Sequence, residues 1–162
     1  MSRTITNTII EVVIEISKES NLKYEYDPSE TKLQLDRILP YKFRYPFNYG
    51  MIPNTIGSDG QNLDVILLLD ESLPPGTRIK CKIIGGFKYS DEKGKDEKII
   101  VCPANDVDNR FINIKDISNL KPETLNKIRY FFEHYKDNLN IDTKFGKFLN
   151  SVEATKLYEK SK

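Results

Sequence analysis

The segment Ile9-Ile10-Glu11-Val12-Val13-Ile14-Glu15-Ile16 sets Ile10, Val12, Ile14 and Ile16 against Glu11, Val13, Glu15 and Ser17. Alternation with a period of two belongs to a strand with one buried face, which leaves Glu11 and Glu15 on a charged face. The same glutamates interrupt the continuous apolar run that an export signal requires. From this strand to about Cys102, short β-branched or aromatic runs at 22–26, 32–35, 63–69, 78–89 and 98–102 alternate with turn residues. The turns fall at Asp27-Pro28, Ser58-Asp59-Gly60, Pro74-Pro75-Gly76 and 91–96. Five or six strands of this length predict a small β-barrel. After about Asp116 the period lengthens. Leu125, Ile128, Phe132 and Tyr135 follow Pro122 and Glu123 at helical spacing, which predicts an amphipathic helix over 122–137. Asn150, three residues before Glu153, predicts a capped second helix ending near 160. The fold class expected is therefore mainly β with α (α+β), a barrel with flanking C-terminal helices, as a single domain over 1–162.

The 25 Lys+Arg and 24 Asp+Glu among 162 residues leave a formal net charge of +1, which argues against a nucleic-acid binder with a dominant basic field. No apolar stretch approaches the ~20 residues that span a bilayer. Cys81 and Cys102 lack Cys-x-x-Cys spacing and sit in predicted strands, so they read as small core residues of a reduced, cytoplasmic protein.

Two acidic loops carry the chemistry. Asp59-Gly60-Gln61-Asn62-Leu63-Asp64 and Asp91-Glu92-Lys93-Gly94-Lys95-Asp96 each place two aspartates five residues apart around a glycine. Either loop alone reads as a hairpin turn. Two on one small barrel bring carboxylates together that repel unless a cation lies between them. Oxygen-only donors suit Mg²⁺ or Mn²⁺, and a single histidine, His134, with two apolar-context cysteines argues against a zinc centre. A set of opposite sign accompanies them: Lys23 and Glu25 on one face of a strand, Asp36-Arg37, the two phenols of Tyr45-Pro46-Phe47-Asn48-Tyr49-Gly50, and Tyr135-Lys136. Singly, each of these also fits an ordinary surface or core role.

In order and spacing, Lys23-Tyr24-Glu25, Asp36-Arg37, Tyr45 to Gly50, Asp59-Gly60 with Asp64, Asp91 with Asp96 and Lys98, and Phe131 to Lys136 together resemble the family I soluble inorganic pyrophosphatases of the short, prokaryotic type. The likeness spans about 9–160. It implies an OB-like five-stranded β-barrel and Mg²⁺-dependent hydrolysis of inorganic diphosphate. Asp59, Asp64 and Asp96 would hold a first metal ion, Asp64 would reach a second, and Asp91 with Asp96 would hold a third. Glu15 and Glu25 would complete the metal or water contacts of about three or four ions, with Mn²⁺ as a possible substitute. Lys23, Arg37, Tyr49, Lys98, Tyr135 and Lys136 would bind phosphate oxygens, with Tyr45 in the same motif. A homohexamer is implied as well.

One departure stands out. The family's first acidic loop reads Asp-Gly-Asp-Pro-x-Asp, and here Gln61 and Asn62 replace its third and fourth residues. Resemblance gives the replaced aspartate the general-base role, and an amide cannot accept that proton, so an enzyme slower than its relatives is expected. Without proline the loop backbone is also expected to be looser. Two other readings compete: an impaired homologue that binds metal and phosphate compounds, and an OB-type nucleic-acid module. Acidic loops where the latter needs a basic groove count against it.

Overall fold

Strand β1 (Ile9–Ile16) closes the molecule on itself, pairing antiparallel with β4 (Asn48–Ile52) on one side and β6 (Arg78–Asp91) on the other. In this computed structural model, which describes residues 6–40 and 42–162, β4 continues antiparallel to β5 (Leu63–Leu67), β5 runs parallel to β8 (Lys98–Pro103), and β8 returns antiparallel to β6. The ring β1-β4-β5-β8-β6 is the expected five-stranded, OB-like barrel. The expected domain extends over residues 1–5 and 41, which lie outside the described ones. Outside the ring, β2 (Leu22–Asp27) and β3 (Lys32–Ile38) form a separate two-stranded sheet, β7 (Gly94–Lys95) folds back on the end of β6, and β9 (Lys144–Leu149) pairs with β6.

Because strand side chains alternate, the barrel strands feed two cores. Leu63, Val65 and Leu67 of β5 with Ile99 and Val101 of β8 join Val12 and Ile14 in one. Ile66, Ile100 and Cys102 join the aromatic residues of the other. Helix α1 (Pro122–His134) contributes Ile128, Phe131 and Phe132 to the aromatic core, and α2 (Ser151–Ser161) sets Ala154 and Leu157 on the first. Cys81 and Cys102 are buried and free, and burial pushes both thiols up in pKa, to about 12 for Cys102.

Three expectations change, and one strand was not expected. β1 does not have a single buried face: Val13 is fully buried and Glu15 is 8% exposed, because the β2–β3 hairpin lies against this strand and Tyr26 N donates to Glu15 Oε2 at 2.8 Å. The supposed loop at 45–50 enters strand β4 at Asn48, where Gly50 faces Ile14 and a Cβ would collide with the Val13 carbonyl. Proline at 46 and glycine at 50 disguise that strand. α1 ends at His134, with Tyr135 as its C-cap, so Tyr135 and Lys136 lie just beyond the helix. β9, rich in Lys and Gly, carries no clear alternation.

The second helix starts as expected. Glu153 N donates to Asn150 Oδ1 at 2.9 Å and Asn150 N to Glu153 Oε1 at 3.1 Å, a reciprocal cap. Asp116 adds an anchor that the sequence did not suggest. Its carboxylate accepts from Ser151 N at 2.7 Å and from Ser118 N at 3.1 Å, tying a 3₁₀ turn (Ile117–Asn119) to the start of α2. Burial alone would raise its pKa, but the hydrogen bonds from Ser151 and Ser118 outweigh it and hold the group below 3.8. A carboxylate with a depressed folded pKa stabilises the fold above its unfolded pKa and loses that contribution as pH falls through the folded value. Asp116→Ala is expected to cost about 1–2 kcal/mol at pH 7. In urea melts, its difference from the wild type should shrink below pH ~4.

Candidate active site

The parallel register of β5 and β8 builds the centre of the site. Asp64 stands opposite Lys98, and Asp96, two residues before Lys98, falls on the same side of the chain. Lys98 Nζ donates to Asp64 Oδ2 at 2.9 Å, Asp96 Oδ2 at 3.0 Å and the Tyr49 hydroxyl at 2.7 Å. The cation between the converging carboxylates is thus a lysine of the chain itself. Burial would lower the pKa of Lys98, but Asp64 and Asp96 raise it far above the ordinary range, so it stays charged. Burial raises Asp96 despite the pull of Lys98.

Around this centre lies a cavity of about 300 Å³. The acidic loops supply Asp59, Gln61, Asp64, Asp91 and Asp96, β1 supplies Glu15, and the hairpin supplies Lys23 and Glu25. Tyr45, Tyr49, Tyr135, Lys98 and Lys136 complete the set, so one cavity gathers every expected site residue except Arg37. Arg37 pairs with Lys23 across the β2–β3 register, and its buried Nε lacks a hydrogen-bond partner. A buried guanidinium nitrogen left unpaired is costly, and an anion beside the hairpin would relieve it. Tyr24, Tyr26, Met51, Asn62 and Lys93 also line the cavity. Lys93, inside the second acidic loop, had a legible signal; the others read as strand or turn residues. His134 lies outside the lining and meets Asp137 Oδ2 at 2.9 Å.

Both acidic loops are genuine turns as well as donors. Gln61 N donates to Asp59 Oδ1 and Lys93 N to Asp91 Oδ1, each at 2.9 Å, so each aspartate closes a turn on the backbone two residues later. Gly60 and Gly94 take positive φ, +81° and +106°, which explains the central glycines. The looseness expected from Asn62 is countered: its Nδ2 donates to Thr55 O at 3.0 Å, and Leu63 N donates to Thr55 Oγ1 at 2.9 Å. Side-chain bonds anchor the loop where a proline ring would have restricted it.

The site's charge explains its donor chemistry. Glu15 is pushed up to about 8, first by burial and then by the Asp64 charge, with Glu25 adding to it. Lys136 engages Asp91 at 3.1 Å and Glu92 at 3.3 Å. Burial opposes the ionisation of Asp91, but the Lys93 amide and Lys136 hold it below its usual range. Among the described residues no three His, Cys, Asp or Glu side chains stand close enough together to hold a metal ion as they are. The donors nevertheless fit a hard divalent cation: all are oxygens and they line one cavity. The phenols of Tyr49 and Tyr135 are buried, and burial followed by neighbouring negative groups raises both well above 10, so they remain neutral hydrogen-bond donors.

The OB-like barrel thus gathers carboxylates, lysines and phenols in one polar cavity. The family model for inorganic pyrophosphatase matches residues 12–162. The inorganic pyrophosphatase of Helicobacter pylori strain 26695 is 44% identical over 151 residues, 93% of this chain and 87% of that protein. That of Nanoarchaeum equitans is 45% identical over 149 residues, 91% and 92% of the two chains. A solved inorganic pyrophosphatase from H. pylori superposes with a TM-score of 0.92 at 41% identity, covering 99% of this chain and 95% of that one. One from Coxiella burnetii also reaches 0.92, at 32% identity, covering 99% and 97%. This chain belongs to the inorganic pyrophosphatase family.

Behind the site, Tyr89 Oη donates to the Phe132 carbonyl at 3.0 Å, holding the end of α1 that leads to Tyr135 and Lys136. Removing a buried hydrogen bond of this kind costs about 0.5–1.5 kcal/mol. Tyr89→Phe is expected to lower the urea midpoint accordingly, with no change in m-value.

Proposed function

We propose that the chain hydrolyses inorganic diphosphate to two phosphates with Mg²⁺, about three or four ions acting with substrate and Mn²⁺ able to substitute, and that it does so as a single domain. The observation that carries this reading is the cavity itself: Asp59, Asp64, Asp91 and Asp96 line one space of about 300 Å³ together with Lys23 and Lys136, in a chain of this family. Asp59, Asp64, Asp91 and Asp96, with Glu15 and Glu25, would hold the metal. A divalent ion, when bound, neutralises phosphoryl charge and lowers the pKa of an attacking water. Lys23 and Lys136 attract phosphate oxygens as point charges, and Arg37 would orient them through its planar fork. Tyr45, Tyr49 and Tyr135 line the same wall, and their phenols can donate without adding charge.

Gln61 sits at the cavity with an amide that cannot take a proton. General-base assistance is worth roughly 10²–10⁴ in rate, so turnover should be slower than in relatives that carry aspartate there. A cytoplasmic setting and a hexameric assembly belong to the same proposal through the resemblance; no described helix is long and apolar enough to cross a membrane.

Phosphate release from diphosphate, followed across Mg²⁺ concentration and pH, tests the reading. Metal-dependent turnover is expected, and no release above a metal-only control at any pH would establish the impaired homologue instead. Gln61→Asp should raise kcat at saturating Mg²⁺ by at least about tenfold; an unchanged or lower kcat would refute the role given to Gln61. Arg37→Lys should raise KM by about tenfold through loss of the planar fork, and an unchanged KM would remove Arg37 from substrate binding.

A further inference from the structure

Lys98 is the most completely engaged cation in the cavity. A lysine ammonium has three N–H donors, and all three are committed: to Tyr49 Oη at 2.7 Å, Asp64 Oδ2 at 2.9 Å and Asp96 Oδ2 at 3.0 Å. The residue is 1% exposed. Around Nζ stand the rings of Tyr49, Phe132 and Tyr89, with centroids 5.2, 5.4 and 5.7 Å away, within the range where an aromatic face attracts a cation. The backbone of Lys98 is fixed on both sides, by Asp64 of β5 and Phe87 of β6, so it cannot follow a ligand across the cavity. Lys136 differs, because it follows α1 and pairs with two side chains of the β6–β7 hairpin.

Two carboxylates drawn to one point repel each other unless positive charge lies between them. Here the ammonium does this with directional bonds to one oxygen of each, much as a hard cation is held by oxygen ligands, but with a single charge. We propose that Lys98 is a positioning residue, an internal counter-ion that keeps Asp64 and Asp96 in place before a metal ion arrives and opposes that ion's entry, instead of contacting phosphate. This rests on the reading that the two aspartates hold metal. Lys98 lets the pair form without metal, and it weakens metal binding by placing a like charge beside the incoming ion. Affinity is thereby traded for a folded, ready site.

The test uses the full chain, stripped of metal and without diphosphate. Thermal melts are recorded with and without saturating Mg²⁺, and Mn²⁺ binding is titrated by electron paramagnetic resonance. Lys98→Met should melt several degrees lower than the wild type without metal, and Mg²⁺ should remove most of that gap. Its Mn²⁺ dissociation constant should tighten by about tenfold, since like charges at short range in a poorly solvated site interact strongly. Lys98→Arg keeps the charge and should stay within about twofold of the wild type. A Lys98→Met protein that folds only when Mg²⁺ is present supports the proposal; one that folds in neither condition overturns it. It is also overturned if Lys98→Met binds Mn²⁺ with unchanged or weaker affinity, including the case in which inorganic phosphate binding alone is lost. If the wild type binds no Mn²⁺, the metal-site reading fails and the proposal with it, a result separate from every result of the variants.

Discussion

The parallel pairing of β5 with β8 is the constraint on which the site and much of the core depend. It closes the mixed ring of strands and, by its register alone, sets Asp64 beside Lys98. A slip of one residue would turn every side chain of the strand to the other face, exchanging Val65 with Asp64 and placing a carboxylate in an apolar core. The fully buried Val65 and Leu67 therefore defend the position of Asp64. Hydrophobic burial and the placement of the charged centre are one constraint, read on two faces of the same strand.

The aromatic core performs a second service. Tyr45, Phe47, Phe131, Phe132 and Tyr135 pack in successive contacts, with Phe47 stacked on Phe132 at 5.8 Å and Phe131 on Tyr135 at 5.0 Å. This packing joins α1 to β4 and excludes water behind the phenols that face the cavity. Elsewhere in the barrel, Lys82 is buried in a different way. Its ammonium donates to Asn105 Oδ1 at 2.9 Å and the Phe111 carbonyl at 2.7 Å, neutral acceptors that pin a long connection against β6. The contrast with Lys98 shows one residue type serving as a fastener in one place and as a charge balance in another.

The strands with alternating or β-branched runs and the helix with a 3-4-3 apolar spacing were legible from pattern even where, as in β5 and β8, both faces carry buried residues. β4 was not, since Pro46 shortly precedes it and its sequence carries the glycine that close approach to β1 requires. β9 was hidden because its buried residues, Phe145 and Leu149, are four apart and do not alternate. The acidic loops could be found from their spacing, and their turn chemistry was equally visible. The sequence could not show which cation separates Asp64 from Asp96, because Lys98 comes between them only through a pairing distant along the chain. Nor could it show that the Arg37 guanidinium would be partly enclosed without an acceptor for Nε, a property of how the hairpin rests on its neighbours. Asn62 looked like the loss of a restraint, and its compensating bond to Thr55 appears only once the loop is folded.

The β2–β3 sheet shares no backbone ladder with the barrel, yet it carries Lys23, Glu25 and Arg37. It is fastened near its turn by contacts such as Glu15 to Tyr26 and Arg78 to Tyr26. A smaller part of the cavity wall, from Lys23 to Tyr26, is thus an appendage, and the rest belongs to the barrel, its loops and the segment after α1. Changes in the appendage can alter the cavity lining from Lys23 to Tyr26 while the barrel keeps its closure. In such a division of labour, catalytic tempo and fold endurance can diverge independently within one small chain.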